Sequence, residues 1–103
     1  MIRHTVVFRL KHTRGSADER AFLQEAEVLA TIPVVKAFAC LRQVNPTSPF
    51  DFCLSMQFDN SRDYQIYNEN PTHVRFVQTR WMPEVREFME LDYEVYTSSD
   101  ALD

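Results

Sequence analysis

A single glycine in 103 residues excludes the phosphate-cradling loops of P-loop or dinucleotide-binding type, which need several. Two cysteines without C-x-x-C spacing provide neither a disulfide framework nor a zinc site, so reduced thiols in a cytoplasmic setting are expected. Cations are in the minority, with 11 lysines and arginines against 15 aspartates and glutamates, a formal charge of −4. With no basic run to neutralise phosphates, nucleic acid is not an expected partner. No apolar run approaches the roughly 20 residues of a membrane span, and Met1-Ile2-Arg3-His4 does not open a signal peptide. A membrane is not an expected partner either.

What remains is 45% hydrophobic, 25% charged and 13% aromatic, which suits one globular domain. The domain is expected over residues 1–96, with 97–103 a polar, flexible tail. Ile2, His4, Val6, Phe8 and Leu10 alternate with Arg3, Thr5, Val7 and Arg9, the period of a strand. After the polar turn from Lys11 to Gly15, Ser16 and Glu19 form a capping box that opens a helix. Ala17, Ala21, Phe22, Ala26, Leu29 and Ala30 recur at helical spacing to about Thr31, and Pro33 ends the run. Val34 to Val44 and Phe50 to Phe58 read as strands flanking the loop Asn45-Pro46-Thr47-Ser48-Pro49. Asp59-Asn60-Ser61 caps a short helix to about Tyr67. Asn70 followed by Pro71 starts another, which Pro83 must kink or restart. Met89 to Tyr96 is the last strand. The order β-α-β-β-α-β is ferredoxin-like, an α+β fold with helices over one face of a four-stranded antiparallel sheet.

Parity sorts the strands into two faces. The apolar set, expected beneath the helices, comprises Ile2, His4, Val6, Phe8 and Leu10, then Val35, Ala37, Ala39 and Leu41. Phe52, Leu54, Met56 and Phe58 continue it, with Leu91, Tyr93 and Val95 on the last strand. The other face has an apolar centre of Val7, Phe38, Cys40 and Cys53, and charged edges that include Arg3, Arg9, Arg42, Glu90, Asp92 and Glu94. An apolar centre with a polar rim is the anatomy of an interface. A lone sheet with one bare face is marginal at this size, so a homodimer through the helix-free face is expected. The alternative is a solvated face with scattered apolar residues. Pairing the second and third strands about Pro46 and Thr47 sets Cys40 opposite Cys53 and Arg42 opposite Asp51. The thiols then read as small buried hydrophobes, not a redox pair.

The opening Ile2-Arg3-His4-Thr5-Val6-Val7-Phe8-Arg9-Leu10-Lys11 resembles the first strand of the stress-responsive A/B barrel (Dabb) family. Asn70-Pro71-Thr72-His73-Val74-Arg75-Phe76, Pro83 and the closing Leu91-Asp92-Tyr93-Glu94-Val95 resemble it too, in the right order. The resemblance implies a ferredoxin-like domain that dimerises through its sheets into an α+β barrel. One member type, the plant olivetolic acid cyclase, performs a cofactor-free aldol cyclisation of a polyketide between sheet and helices. Its site uses a first-strand histidine, a tyrosine before the helical Pro-x-His, and that histidine, and His4, Tyr67 and His73 stand at the matching positions. The chain departs from it at Phe52 and Asn70, where that cyclase has further histidines.

On their own chemistry these residues permit two readings each. His4 points under the helices, where a buried imidazole bonds a carbonyl or a tyrosine hydroxyl. His73 follows Asn70, where a helix start disfavours the protonated ring and leaves a neutral base; otherwise it is a capping or surface histidine. Tyr67 either donates to a substrate carbonyl as charge develops or plugs a helix end. Converging on one pocket, His73 would take an α-proton, Tyr67 steady the enolate oxygen, and His4 orient or relay. That needs neither metal nor organic cofactor. Phe8, Phe22, Leu29, Phe52, Val74 and Trp81 would wall off a hydrophobic small-molecule ligand, or simply build the core. The histidines lack zinc spacing, and Glu90, Asp92 and Glu94 are expected to pair with Arg3 and Arg9. Three functions stay open. They are a cofactor-independent cyclase or lyase acting on a hydrophobic carbonyl compound, a non-catalytic dimeric domain binding a small ligand or a stress-related partner, and a cofactor-free monooxygenase.

Overall fold

The computed structural model describes residues 1–97, so the expected tail lies outside the described residues but for Thr97. Strand β1 runs over Ile2–Leu10 and α1 over Ala17–Ala26, followed by a 3₁₀ turn at Glu27–Thr31. Strands β2, Lys36–Arg42, and β3, Phe52–Phe58, precede α2 at Ser61–Glu69. Helix α3 begins at Pro71–Phe76, widens into a π turn at Val77–Trp81 and ends in one α turn at Met82–Glu84. Strand β4, Val85–Tyr93, completes an antiparallel sheet of order β2-β3-β1-β4. This is the ferredoxin-like α+β fold.

Local chemistry accounts for the helix boundaries. Ser16 caps α1 by accepting from the Glu19 N–H at 3.2 Å. The reciprocal bond is displaced by one residue, because Glu19 Oε1 accepts from the Gly15 N–H while the Ser16 N–H is spent on Thr13. Asn60 and Asn70 cap α2 and α3, accepting from Asp63 and Thr72. Pro83 has no N–H and would crowd the carbonyl four residues back. The chain meets this by unwinding into the π turn, where the Met82 N–H reaches the Val77 carbonyl.

The core lies between the helices and one sheet face, where Phe8, Phe22, Met56 and Phe58 are fully enclosed. Helix α1 buries Glu19, Phe22 and Ala26, while the expected face members Ala17, Ala21 and Ala30 are exposed. On β1 and β3 the inward sets are as parity predicts.

On the two outer strands parity fails, on β2 because of a bulge and on β4 because its apolar set, Leu91 and Tyr93, faces the open side of the sheet. Strand β2 pairs Lys36 with Gln57 but Ala39 with Ser55, so two residues oppose one, and Ala37 takes φ +50° at the bulge. Beyond it the faces exchange. Cys40 and Arg42 lie opposite Leu54 and Phe52 on the inner face, and Ala39 and Leu41 lie on the outer one. Cys40 is therefore not opposite Cys53, nor Arg42 opposite Asp51, and Phe38 packs against the core instead of centring the open face. Strand β4 starts four residues earlier than its alternation suggests, and a second bulge sits between its Leu10–Val85 and Arg9–Glu87 pairs. Its inner face is Phe88, Glu90 and Asp92, and its outer face is Glu87, Met89, Leu91 and Tyr93.

Candidate functional site

His4 sits on the inner face of β1, only 5% exposed. The β1–β4 register places Asp92 directly across from it, and His4 Nδ1 lies 2.6 Å from Asp92 Oδ1. Tyr64, on α2, closes the group: its hydroxyl donates to Asp92 Oδ2 at 2.9 Å and lies 2.8 Å from His4 Nδ1. A carboxylate only accepts, so Nδ1 carries a ring proton toward Asp92. Among the described residues, Nε2 makes no hydrogen bond.

Tyr67 is one turn from Tyr64 on the same side of α2. It is 2% exposed and packs on Phe58, with its ring 6.1 Å from His4 and 4.3 Å from His73. Burial, and then the charge of Glu90, push its phenol pKa well above the usual value, so the hydroxyl stays a donor. Burial does the same for Tyr64, with its bond to Asp92 adding to the rise.

His73 enters from the first turn of α3, its Nδ1–H donating to the Asn68 carbonyl at 3.1 Å. Burial lowers its pKa and nearby His4 lowers it further, against the Asn68 bond and the charge of Glu90. The ring is thereby kept neutral with Nε2 unprotonated. Both histidines thus have Nδ1 tied to a protein acceptor and Nε2 spare. His12 stands apart, bonded through Nε2 to Glu84 at 2.7 Å.

His4, Tyr67 and His73 all line one cavity of about 540 Å³ between β1, β4 and the α2–α3 segment. Leu29 and Trp81 border it as expected, together with Phe76, Val85 and Phe88. The rest of the anticipated apolar wall lies elsewhere. Phe8 and Phe22 are sealed in the core, Phe52 borders a separate polar cleft beside Arg14 and Asp51, and Val74 lies on the exposed side of α3. Among the described residues, no three histidine, cysteine, aspartate or glutamate side chains converge to hold a metal.

Sequence reasoning missed Asp92, Tyr64 and Glu90. Alternation sets Glu90 and Asp92 beside arginines on the outer face, whereas the β4 register turns both inward. Among the described residues, only Arg9 finds a β4 carboxylate, Glu87 at 2.7 Å. The sequence does carry one signal, because a buried histidine demands a partner such as a tyrosine hydroxyl.

Residues 2–95 match the family described as the Stress responsive A/B Barrel Domain, or Dabb. No curated protein matches the chain. Among solved structures, a Dabb family protein with a ferredoxin-like fold from Mesorhizobium loti is 45% identical. The match covers 93% of this chain and 97% of that one, with a TM-score of 0.91. A dimeric ferredoxin-like protein of unknown function from Thermobifida fusca is 19% identical, with coverage of 91% and 90% and a TM-score of 0.75. A hydroxynitrile lyase from Passiflora edulis is 17% identical, with coverage of 94% of each chain and a TM-score of 0.82.

Proposed function

The chain belongs to the stress-responsive A/B barrel domain family, and from that premise we propose that it is a cofactor-independent enzyme of cyclase or lyase type acting on a hydrophobic carbonyl compound. One observation carries the reading: two imidazoles, each anchored through Nδ1, line one largely apolar cavity with the Tyr67 ring beside both. His73 removes a proton from the carbon beside the carbonyl. Tyr67 donates its hydroxyl to the oxygen as negative charge gathers there, and burial strengthens that bond. His4 relays the second proton, and Asp92 steadies its ring when it becomes an imidazolium. In the forming direction the enolate carbon attacks a second carbonyl, whose oxygen takes the proton that His4 relays; cleavage runs in reverse, the β-hydroxyl proton leaving first and the enolate carbon being protonated last. That a hydroxynitrile lyase has the same fold supports the lyase class.

The functional unit is a homodimer built through the open sheet face. Leu41, Met89, Leu91 and Tyr93 lie there, from 36% to 52% exposed in the single chain, and neighbours of the same fold are described as dimeric.

Proton abstraction can be tested before any natural substrate is known. Hydrophobic ketones and 1,3-diketones are incubated in deuterated buffer, and loss of the α-proton signal is followed by NMR. The wild type is expected to accelerate exchange, and His73→Gln and Tyr67→Phe to reduce that acceleration by about 10²-fold or more. Exchange no faster than in buffer, or unaffected by His73→Gln, overturns the proposal in favour of a non-catalytic ligand-binding domain.

A further inference from the structure

Among the described residues lining the cavity, the only carboxylate is Glu90, and there is no lysine or arginine. Glu90 lies on the inner face of β4 opposite Val6. Among the described residues, its carboxylate makes no hydrogen bond or ion pair. Of the arginines next in the chain to lining residues, Arg80 pairs with Glu84 at 3.0 Å, and Arg3, Arg75 and Arg86 adjoin His4, Phe76 and Val85 without themselves lining the cavity. Two positions along the same strand face, Asp92 adds a second carboxylate behind His4. The field of Glu90 reaches across the cavity, since it favours the protonated forms of both Tyr67 and His73.

We infer that Glu90 determines the specificity of the cavity: it selects ligands that bring a hydrogen-bond donor, a hydroxyl or a protonated amine, to the β4 wall, and it rejects carboxylates and phosphate esters. A donor satisfies a carboxylate that the fold leaves unpaired. An anion would meet two like charges with no lysine or arginine in the lining to offset them. The substrate class of the proposed reaction narrows accordingly, to a hydrophobic carbonyl compound that is neutral or cationic and carries such a donor.

The inference rests on the cavity being the ligand site, and it is tested by binding alone. Trp81 is the single tryptophan of the chain and lines the cavity, so its emission reports occupancy. Phenylpropylamine, phenylpropanol and phenylpropionate share one apolar body and differ in the polar end. The wild type is expected to bind the amine about tenfold or more tightly than the acid, with the alcohol between them. Glu90→Gln keeps the shape of the side chain at an exposed edge-strand position, and it is expected to bring the three affinities within about threefold of one another. Equal affinities in the wild type, a preference that survives Glu90→Gln, or no Trp81 response to any of the three overturns the inference. If the charge preference holds while no α-proton exchange is found, selectivity stands and the catalytic reading falls. Exchange with a flat affinity ranking has the opposite meaning.

Discussion

His4 and His73 reach one cavity from two directions, the first from the middle of a strand and the second from the first turn of a helix. Each ring is held by a protein acceptor on Nδ1, but the acceptors differ in what they allow. Asp92 can stabilise a positive ring on His4, whereas the Asn68 carbonyl offers His73 only a dipole. His73 is accordingly the better neutral base, and its lowered pKa bears on stability. Below about pH 6.5 the unfolded chain protonates this histidine while the folded chain resists it. The contribution of His73 is therefore fully present above that pH and is lost as pH falls toward the depressed folded value. Thermal melts from pH 7.5 down to 5.5 are expected to show a smaller loss of stability for His73→Gln than for the wild type. Equal losses would mean that the ring titrates freely in the folded protein.

The elements that place these side chains are governed by small irregularities. The π turn that accommodates Pro83 also carries Val77 and Trp81 to the cavity wall. One bulge re-aims β2 and brings Cys40 inward, and a second lies on β4 ahead of the inward face of Phe88, Glu90 and Asp92. The first bulge has a measurable cost, because a residue with a Cβ occupies the positive-φ position that glycine suits best. Ala37→Gly is expected to stabilise the domain by about 1 kcal/mol, as read from urea unfolding at constant m-value. A destabilised variant would show that Ala37 carries no strain.

At the scale of the whole molecule, the register of β4 changes the character of both sheet faces. The open face gains Met89, Leu91 and Tyr93 and loses Glu90 and Asp92, which makes it more apolar than the sequence alternation suggests. The case for a homodimer through this face is strengthened, and the residues that test it change. Phe38 belongs to the core, so charge is introduced at Leu41 and Leu91 instead. Sedimentation is expected to give twice the chain mass for the wild type and a single chain mass for Leu41→Lys combined with Leu91→Lys. A monomeric wild type rules the dimer out. Among the described residues, no helix is long and apolar enough to cross a membrane.

The choice of His4, Tyr67 and His73 rests on the resemblance to the A/B barrel family, whereas local signals were sufficient for the order of the elements, the caps at Ser16, Asn60 and Asn70, and the inward faces of β1 and β3. Each depends on residues within a few positions of one another, and period and capping chemistry report such neighbourhoods directly. Only the tertiary structure decided the faces of β2, where one inserted residue exchanges every side chain beyond it and leaves no mark in an alternating pattern, and of β4, where both alternating sets can be buried and pairing with β1 selects which one turns inward. The partners of His4 follow from that. Asp92 is 88 positions away and Tyr64 is 60, and no local pattern could show that a carboxylate expected to pair with Arg3 or Arg9 holds the histidine of the first strand.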